Sequence, residues 1–159
     1  MNKPAIIEKI IAALASELDG YTRSAGAAHA EATDEQSKAE NKYDTRGLEA
    51  SYLARGQSRQ AAEVMQAIQQ YESLAARPFA PGEPIDLGAV VELERGAERS
   101  VYFVGPRGGG TEVECDGRAV LVITPQSPLG QQLLGRTRGE RLQMAAGGVA
   151  DSYHIIAVD

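Results

Sequence analysis

The chain of 159 residues is poor in the side chains that build most cofactor and catalytic sites. It has one cysteine, two histidines, six tyrosines, two phenylalanines and no tryptophan. A lone Cys115 excludes an internal disulfide and argues against a cysteine-based zinc site. Its place in a strand-like run predicts a partly buried thiol. His29 and His154 lie far apart with no third ligand at a metal-binding spacing, so they read as a surface residue and a sheet residue. Basic charge is also short: 16 Lys and Arg stand against 22 Asp and Glu, a formal charge of -6. Nothing supplies a face for phosphate neutralisation, which argues against a sequence-specific DNA binder. There is no long apolar run and no leader pattern, so the expectation is a cytoplasmic protein without a membrane partner. No Ser-His-Asp ordering, nucleophile elbow or P-loop is present.

What the first half does contain is a mirrored pair of small and apolar residues. Ile7, Ile11, Leu14, Leu18, Tyr21, Ala25, Ala28 and Ala32 alternate by four and three, as do Ala50, Ala54, Gln57, Ala61, Val64, Ile68, Tyr71 and Ala75. A repeat averaging 3.5 residues is a coiled-coil seam. Laid antiparallel, the two runs share a midpoint near Asn41. The spacing therefore predicts a helical hairpin over residues 1–77 with an acidic apex near 33–46. From Ile7 to Ala32 the arm would run roughly 37 Å at the helical rise. Bulky residues sit near the base and alanines toward the apex, and the other faces carry Glu8, Lys9, Ser16, Glu17, Arg55, Arg59 and Glu63. The stripe is narrow and leaves little to bury against a third helix. Pro4 suits the first turn of the first helix. The second is expected from about Thr45 to about Ala76, where Arg77-Pro78 and the Pro81-Gly82-Glu83-Pro84 cluster (a linker over 78–86) forbid continuation. Asp44 is placed to cap it, and Arg46 to pair with Asp44 or Glu49.

After Pro84 the period changes to two. Ala89–Leu93, Ser100–Val104, Thr111–Cys115, Ala119–Ile123 and Tyr153–Val158 read as strands, with Arg141–Met144 as a further one. Gly105-Pro106-Arg107-Gly108-Gly109-Gly110 lacks a following helix to hold an anion and reads as a flexible hairpin loop. Ser127-Pro128 opens one short helix with a cap and a first-turn proline, and Gly135 closes it. The whole is α+β: a long helical hairpin, then a small, mostly antiparallel β-rich domain with one helix over 87–159.

Ser127-Pro128-Leu129-Gly130-Gln131-Gln132-Leu133-Leu134-Gly135-Arg136 resembles the Ser-Pro, Leu-Leu/Ile-Gly-Lys/Arg helix of the GreA/GreB transcript-cleavage factors. Leu87-Gly88-Ala89-Val90-Val91 resembles that family's opening strand. Lys38-Ala39-Glu40-Asn41 resembles its tip, and Tyr52 with Ala54-Arg55 the stretch beyond. The layout covers nearly the whole chain. The resemblance implies an FKBP-like fold for residues 87–159 and a partner, bacterial RNA polymerase, touched through Ser127, Pro128, Leu129 and Gly130. It implies a hairpin that enters the secondary channel near the RNA 3′ end. Glu40 and Asp44 would be the tip carboxylates that assist catalysis and ligate a magnesium ion shared with the polymerase, the factor having no cofactor of its own. Magnesium keeps several waters and takes one or two carboxylates, which suits such an arm.

At the position of the family's tip aspartate, three residues before Glu40, this chain has Ser37; Asp34, Glu35 and Asp44 are the nearby acids. Two outcomes follow from the resemblance: an accessory factor, not itself an enzyme, that stimulates cleavage of backtracked RNA, or a secondary-channel modulator or inhibitor without cleavage. A coiled-coil adaptor unrelated to polymerase is the alternative from a different class. A prolyl isomerase is disfavoured by the scarcity of aromatics. A monomer or weak self-association is expected.

Overall fold

The computed structural model describes residues 1–33, 46–146 and 149–159. Helix α1 spans Lys3–Thr33 and α2 spans Arg46–Glu72. Six strands follow: β1 Val90–Arg95, β2 Glu98–Val104, β3 Glu112–Cys115, β4 Arg118–Ile123, then β5 Arg141–Ala146 and β6 Val149–Val158, with α3 (Pro128–Leu133) between β4 and β5. The architecture is thus an N-terminal helical hairpin followed by a six-stranded sheet with one short helix. The chain divides into two compact units: Leu14–Ile68, and Met1–Ala13 together with Gln69–Asp159.

In the Leu14–Ile68 unit, burial follows the seam. Leu14, Ala28, Ala50 and Val64 are buried, and Leu18, Tyr21, Ala25, Ala32, Ala54, Gln57, Ala61 and Ile68 are half-buried. Apart from Gly20, Gly47 and the buried Ala67, the described side chains off the seam are exposed. The 3.5-residue repeat therefore does what such a repeat requires: one narrow stripe per helix is covered, and the remaining surface is wet. Gly20, Gly26 and Gly56 have open space where a side chain would stand.

The sheet-bearing unit buries its share of α1 more broadly. Besides Ile7, the off-seam residues Ile6 and Ile10 are fully buried, as is Lys3. At its base α1 therefore has a second buried face, which the narrow-stripe reading did not include. The Lys3 ammonium lies 4.6 Å from the centre of the Phe79 ring and donates to the Arg77 carbonyl. Burial pushes its pKa down, while Asp159 at 3.8 Å partly offsets the shift. Helix α2 ends at Glu72, earlier than the proline at 78 requires, because the chain tightens into a turn with Leu74 N–H donating to the Tyr71 carbonyl at 3.1 Å. The 78–86 segment is packed: Phe79 and Ile85 belong to the core of this unit.

The strand order is β3-β4-β2-β1-β6-β5. All neighbours are antiparallel except β2 and β4, which run parallel with Val101 opposite Val120 and Phe103 opposite Val122. Ala89, Val91, Leu93, Val104, Ile123, Leu142 and Ile155 form one core with Leu133 of α3. The alternate residues Val101, Phe103, Val113, Cys115, Val120 and Val122 are buried on the opposite face. There the Tyr71 ring sits 6.3 Å from Phe103. Cys115 is buried more completely than its position in a strand suggested. Asp116-Gly117 joins β3 to β4 with positive φ at both residues (54° and 71°), the geometry a two-residue hairpin needs.

The 105–110 segment is not a hairpin loop. Its flanking strands β2 and β3 are not neighbours, since β4 lies between them. The physical reason is visible in the strands themselves. Ala119-Val120-Leu121-Val122-Ile123 is apolar throughout and suits an interior position covered on both faces. Glu112-Val113-Glu114-Cys115 alternates and suits an edge. The glycine-rich segment is the crossover that carries the chain past β4's place to that edge.

Candidate functional site

The Ser127 turn is built by its own hydrogen bonds. The Ser127 hydroxyl accepts from Gly130 N–H at 3.1 Å and donates to the Thr124 carbonyl at 2.8 Å. Pro128 occupies the first turn, where no backbone donor is needed. A Cβ on Gly130 would stand 1.9 Å from the Thr124 carbonyl oxygen, so only glycine lets the helix approach that strand end. Leu129 packs against the core. Of the four residues read as partner-binding, Ser127 and Gly130 are thus occupied in making the turn, and Pro128 alone is exposed.

Beside this turn lies an open cleft of about 830 Å³. Its walls are Gln70, Ser73 and Leu74 from the end of α2 and the turn after it, Leu87 before β1, Pro106, Arg107 and Gly108 from the crossover, and Thr124, Pro125 and Gln126 before α3. The Tyr71 hydroxyl donates to the Arg107 carbonyl at 2.7 Å and anchors the crossover to α2. Burial raises the Tyr71 pKa well above the usual phenol range, so the hydroxyl remains a donor. A Cβ on Gly105 would lie 2.0 Å from that hydroxyl oxygen, which explains the glycine. Leu87 is 40% exposed at the cleft wall, and among the described residues Arg107 is the one charged residue lining it. The cleft offers apolar contact, amide hydrogen bonding and one guanidinium.

Sequence reasoning found the turn and missed the cleft. Leu87, Arg107 and Gln126 come from three separate loops, and no spacing in the chain announces that they meet. The one available signal was Leu87, a large apolar residue just before Gly88, whose φ of 84° marks a turn.

Glu40 and Asp44, with Ser37 and Asn41, lie outside the described residues. Among the described residues no cluster of three or more His, Cys, Asp or Glu is arranged to hold a metal ion. His29 is exposed near the end of α1, and His154 is half-buried in β6 opposite Glu94. Arg55 and Arg59 are exposed, Arg59 pairing with Glu63 at 3.3 Å. No helix among the described residues is long and apolar enough to cross a membrane.

No family model and no curated protein matches the sequence. Solved structures do resemble it. The crystal structure of GreA factor homolog 1 (Gfh1) of Thermus thermophilus is 24% identical, covers 94% of each chain and has a TM-score of 0.38. Gfh1 of Thermus aquaticus is 23% identical over 95% of this chain and 94% of its own, with a TM-score of 0.39. The elongation factor GreA/GreB from Nitrosomonas europaea is 19% identical over 74% of this chain and 94% of its own, also at 0.39. At these identities and TM-scores the likeness carries no functional argument of its own.

Proposed function

We propose that this chain is a GreA/GreB-like accessory factor of bacterial RNA polymerase. The sheet unit docks on the enzyme through the cleft and the Ser127 turn, and the hairpin brings its acidic apex into the secondary channel, near the RNA 3′ end. The observation that carries this reading is the burial pattern of the Leu14–Ile68 unit. Each helix is covered along one narrow stripe and leaves most of its remaining surface exposed, with charged and amide side chains interspersed with the exposed Leu48, Tyr52, Leu53 and Met65 of α2, so an arm of this kind has no broad face committed to a third helix. The motif resemblance at residues 87–91 and 127–136 supports the docking half.

In this reading the protein is not an enzyme and has no cofactor of its own. Glu40 and Asp44 are the carboxylates offered to a polymerase-held magnesium ion, which supplies the activated water when bound. Ser37, in place of the resembled family's aspartate, favours a second outcome in which the factor occupies the channel and modulates the polymerase without cleavage.

The test is a halted, backtracked elongation complex mixed with the purified protein. The expected result is shortening of RNA from its 3′ end, lost in Glu40→Gln with polymerase binding retained. Binding without shortening selects the modulator. Absence of binding, with a coiled-coil dimer in solution, selects the adaptor.

A further inference from the structure

The sheet has two edges, and the chain treats them differently. An edge strand presents unpaired backbone groups to any extended segment that arrives, and proteins normally blunt it. At the β3 edge the strand is short, Glu112 and Glu114 are exposed, and the Lys9 ammonium donates to the outward Glu114 carbonyl at 2.5 Å. That edge is closed by a side chain and surrounded by negative charge.

The β5 edge carries the opposite charge and keeps its outward amides. Ile155 N–H donates to the Glu140 carbonyl at 3.0 Å, and the register continues as Leu142 opposite Tyr153 and Met144 opposite Asp151. The alternation of an antiparallel ladder then turns the backbone groups of Leu142 and Met144 toward β6 and those of Arg141 and Gln143 outward. The outward Arg141 carbonyl is engaged by Arg136 Nη1 at 3.3 Å, which leaves the Arg141 N–H and the Gln143 N–H and carbonyl as the outward groups that can pair with an added strand. The charge here is positive. Arg136, Arg138 and Arg141 fall within six residues, and the one carboxylate among them is engaged locally. Glu140 accepts from Thr137 N–H at 2.5 Å and from the Thr137 hydroxyl at 3.1 Å, and faces Arg136 at 3.5 Å. Arg138 and Arg141 form no ion pair among the described residues.

We propose that the outer edge of β5 docks an extended, acidic segment of a partner protein as a seventh strand. Main-chain hydrogen bonds from Arg141 and Gln143 supply the pairing, and Arg138 and Arg141 select carboxylates. The proposal stands on this edge alone and does not depend on the polymerase reading.

The experiment titrates the full chain with an end-capped nonapeptide of alternating glutamate and valine, and with its lysine-valine counterpart, following amide hydrogen exchange. The expected result is protection of the Arg141 and Gln143 amides by the acidic peptide, with at least tenfold weaker binding of the lysine peptide. The double variant Arg138→Glu with Arg141→Glu, both exposed positions, should lose at least tenfold in affinity for the acidic peptide with its thermal unfolding unchanged. Four results would each overturn the proposal: equal binding of the two peptides, binding without protection at those amides, no binding at millimolar peptide, or concentration-dependent protection in the protein alone. The last would assign the edge to a second copy of this chain.

Discussion

At the scale of single residues, the glycines separate into those the backbone needs and those it does not. Gly26 has open space around its missing side chain and lies inside α1. Gly26→Ala should raise stability by about 1 kcal/mol, the helix-propensity difference, measured by urea unfolding. Gly130→Ala should lower it by about 2 kcal/mol or more through overpacking against the Thr124 carbonyl. Equal effects of the two substitutions would refute this assignment. Residue-scale electrostatics are clearest at Glu92, whose carboxylate accepts from Arg118 Nη2 at 2.7 Å and Nη1 at 3.1 Å. That pairing holds the Glu92 pKa below its ordinary 4.5, with burial a smaller opposing effect. A carboxylate depressed in the folded state stabilises fully above its unfolded pKa and loses that contribution as pH falls through the folded value. Glu92→Gln should therefore lower stability near neutral pH and flatten the acid limb of the stability curve. An unchanged acid limb would contradict it.

At the scale of elements, α3 shows how a short helix is specified. Six residues form a marginal helix alone, so the cap and the tertiary contacts of Gly130 and Leu133 decide it. Ser127→Ala should cost about 1 kcal/mol and expose the amides of α3 to faster hydrogen exchange, leaving the β1 amides protected. The strands were legible because alternation and apolar runs report directly on one-sided and two-sided burial. Their order was less so. Reading residues 105–110 as a hairpin followed from adjacency in the chain, whereas pairing depends on which strand can be covered on both faces. The all-apolar β4 takes the interior place beside β2, and the glutamate-bearing β3 is left at the edge. The contrast between Glu112-Val113-Glu114 and Val120-Leu121-Val122 was present in the sequence, but only the assembled sheet converts it into an order.

At the scale of the whole molecule, the proposed function places binding and chemistry in different regions of the chain. Leu87→Glu with Arg107→Glu alters only the wall of the cleft, and should weaken polymerase binding by about tenfold or more, or about 1.4 kcal/mol. Glu40→Gln should leave binding unchanged and remove cleavage. A binding assay by fluorescence anisotropy beside the cleavage assay distinguishes the two, and loss of binding in Glu40→Gln, or loss of cleavage by the cleft variant at saturating concentration, would contradict the division.

The sequence by itself determined the elements. A repeat of 3.5 with polar flanks favours one way for two helices to bury their apolar atoms, a period of two does the same for strands, and a serine before a proline marks where a helix can start. These are local consequences of backbone geometry and the hydrophobic effect. The tertiary structure decided what depends on residues distant in the chain: the cleft gathered from α2 and three loops, the second buried face of α1 with Ile6 and Ile10, the crossover between β2 and β3, and the contrast between an acidic edge and a basic one. No local pattern encodes these, because each is set by which surfaces remain uncovered once the elements have packed.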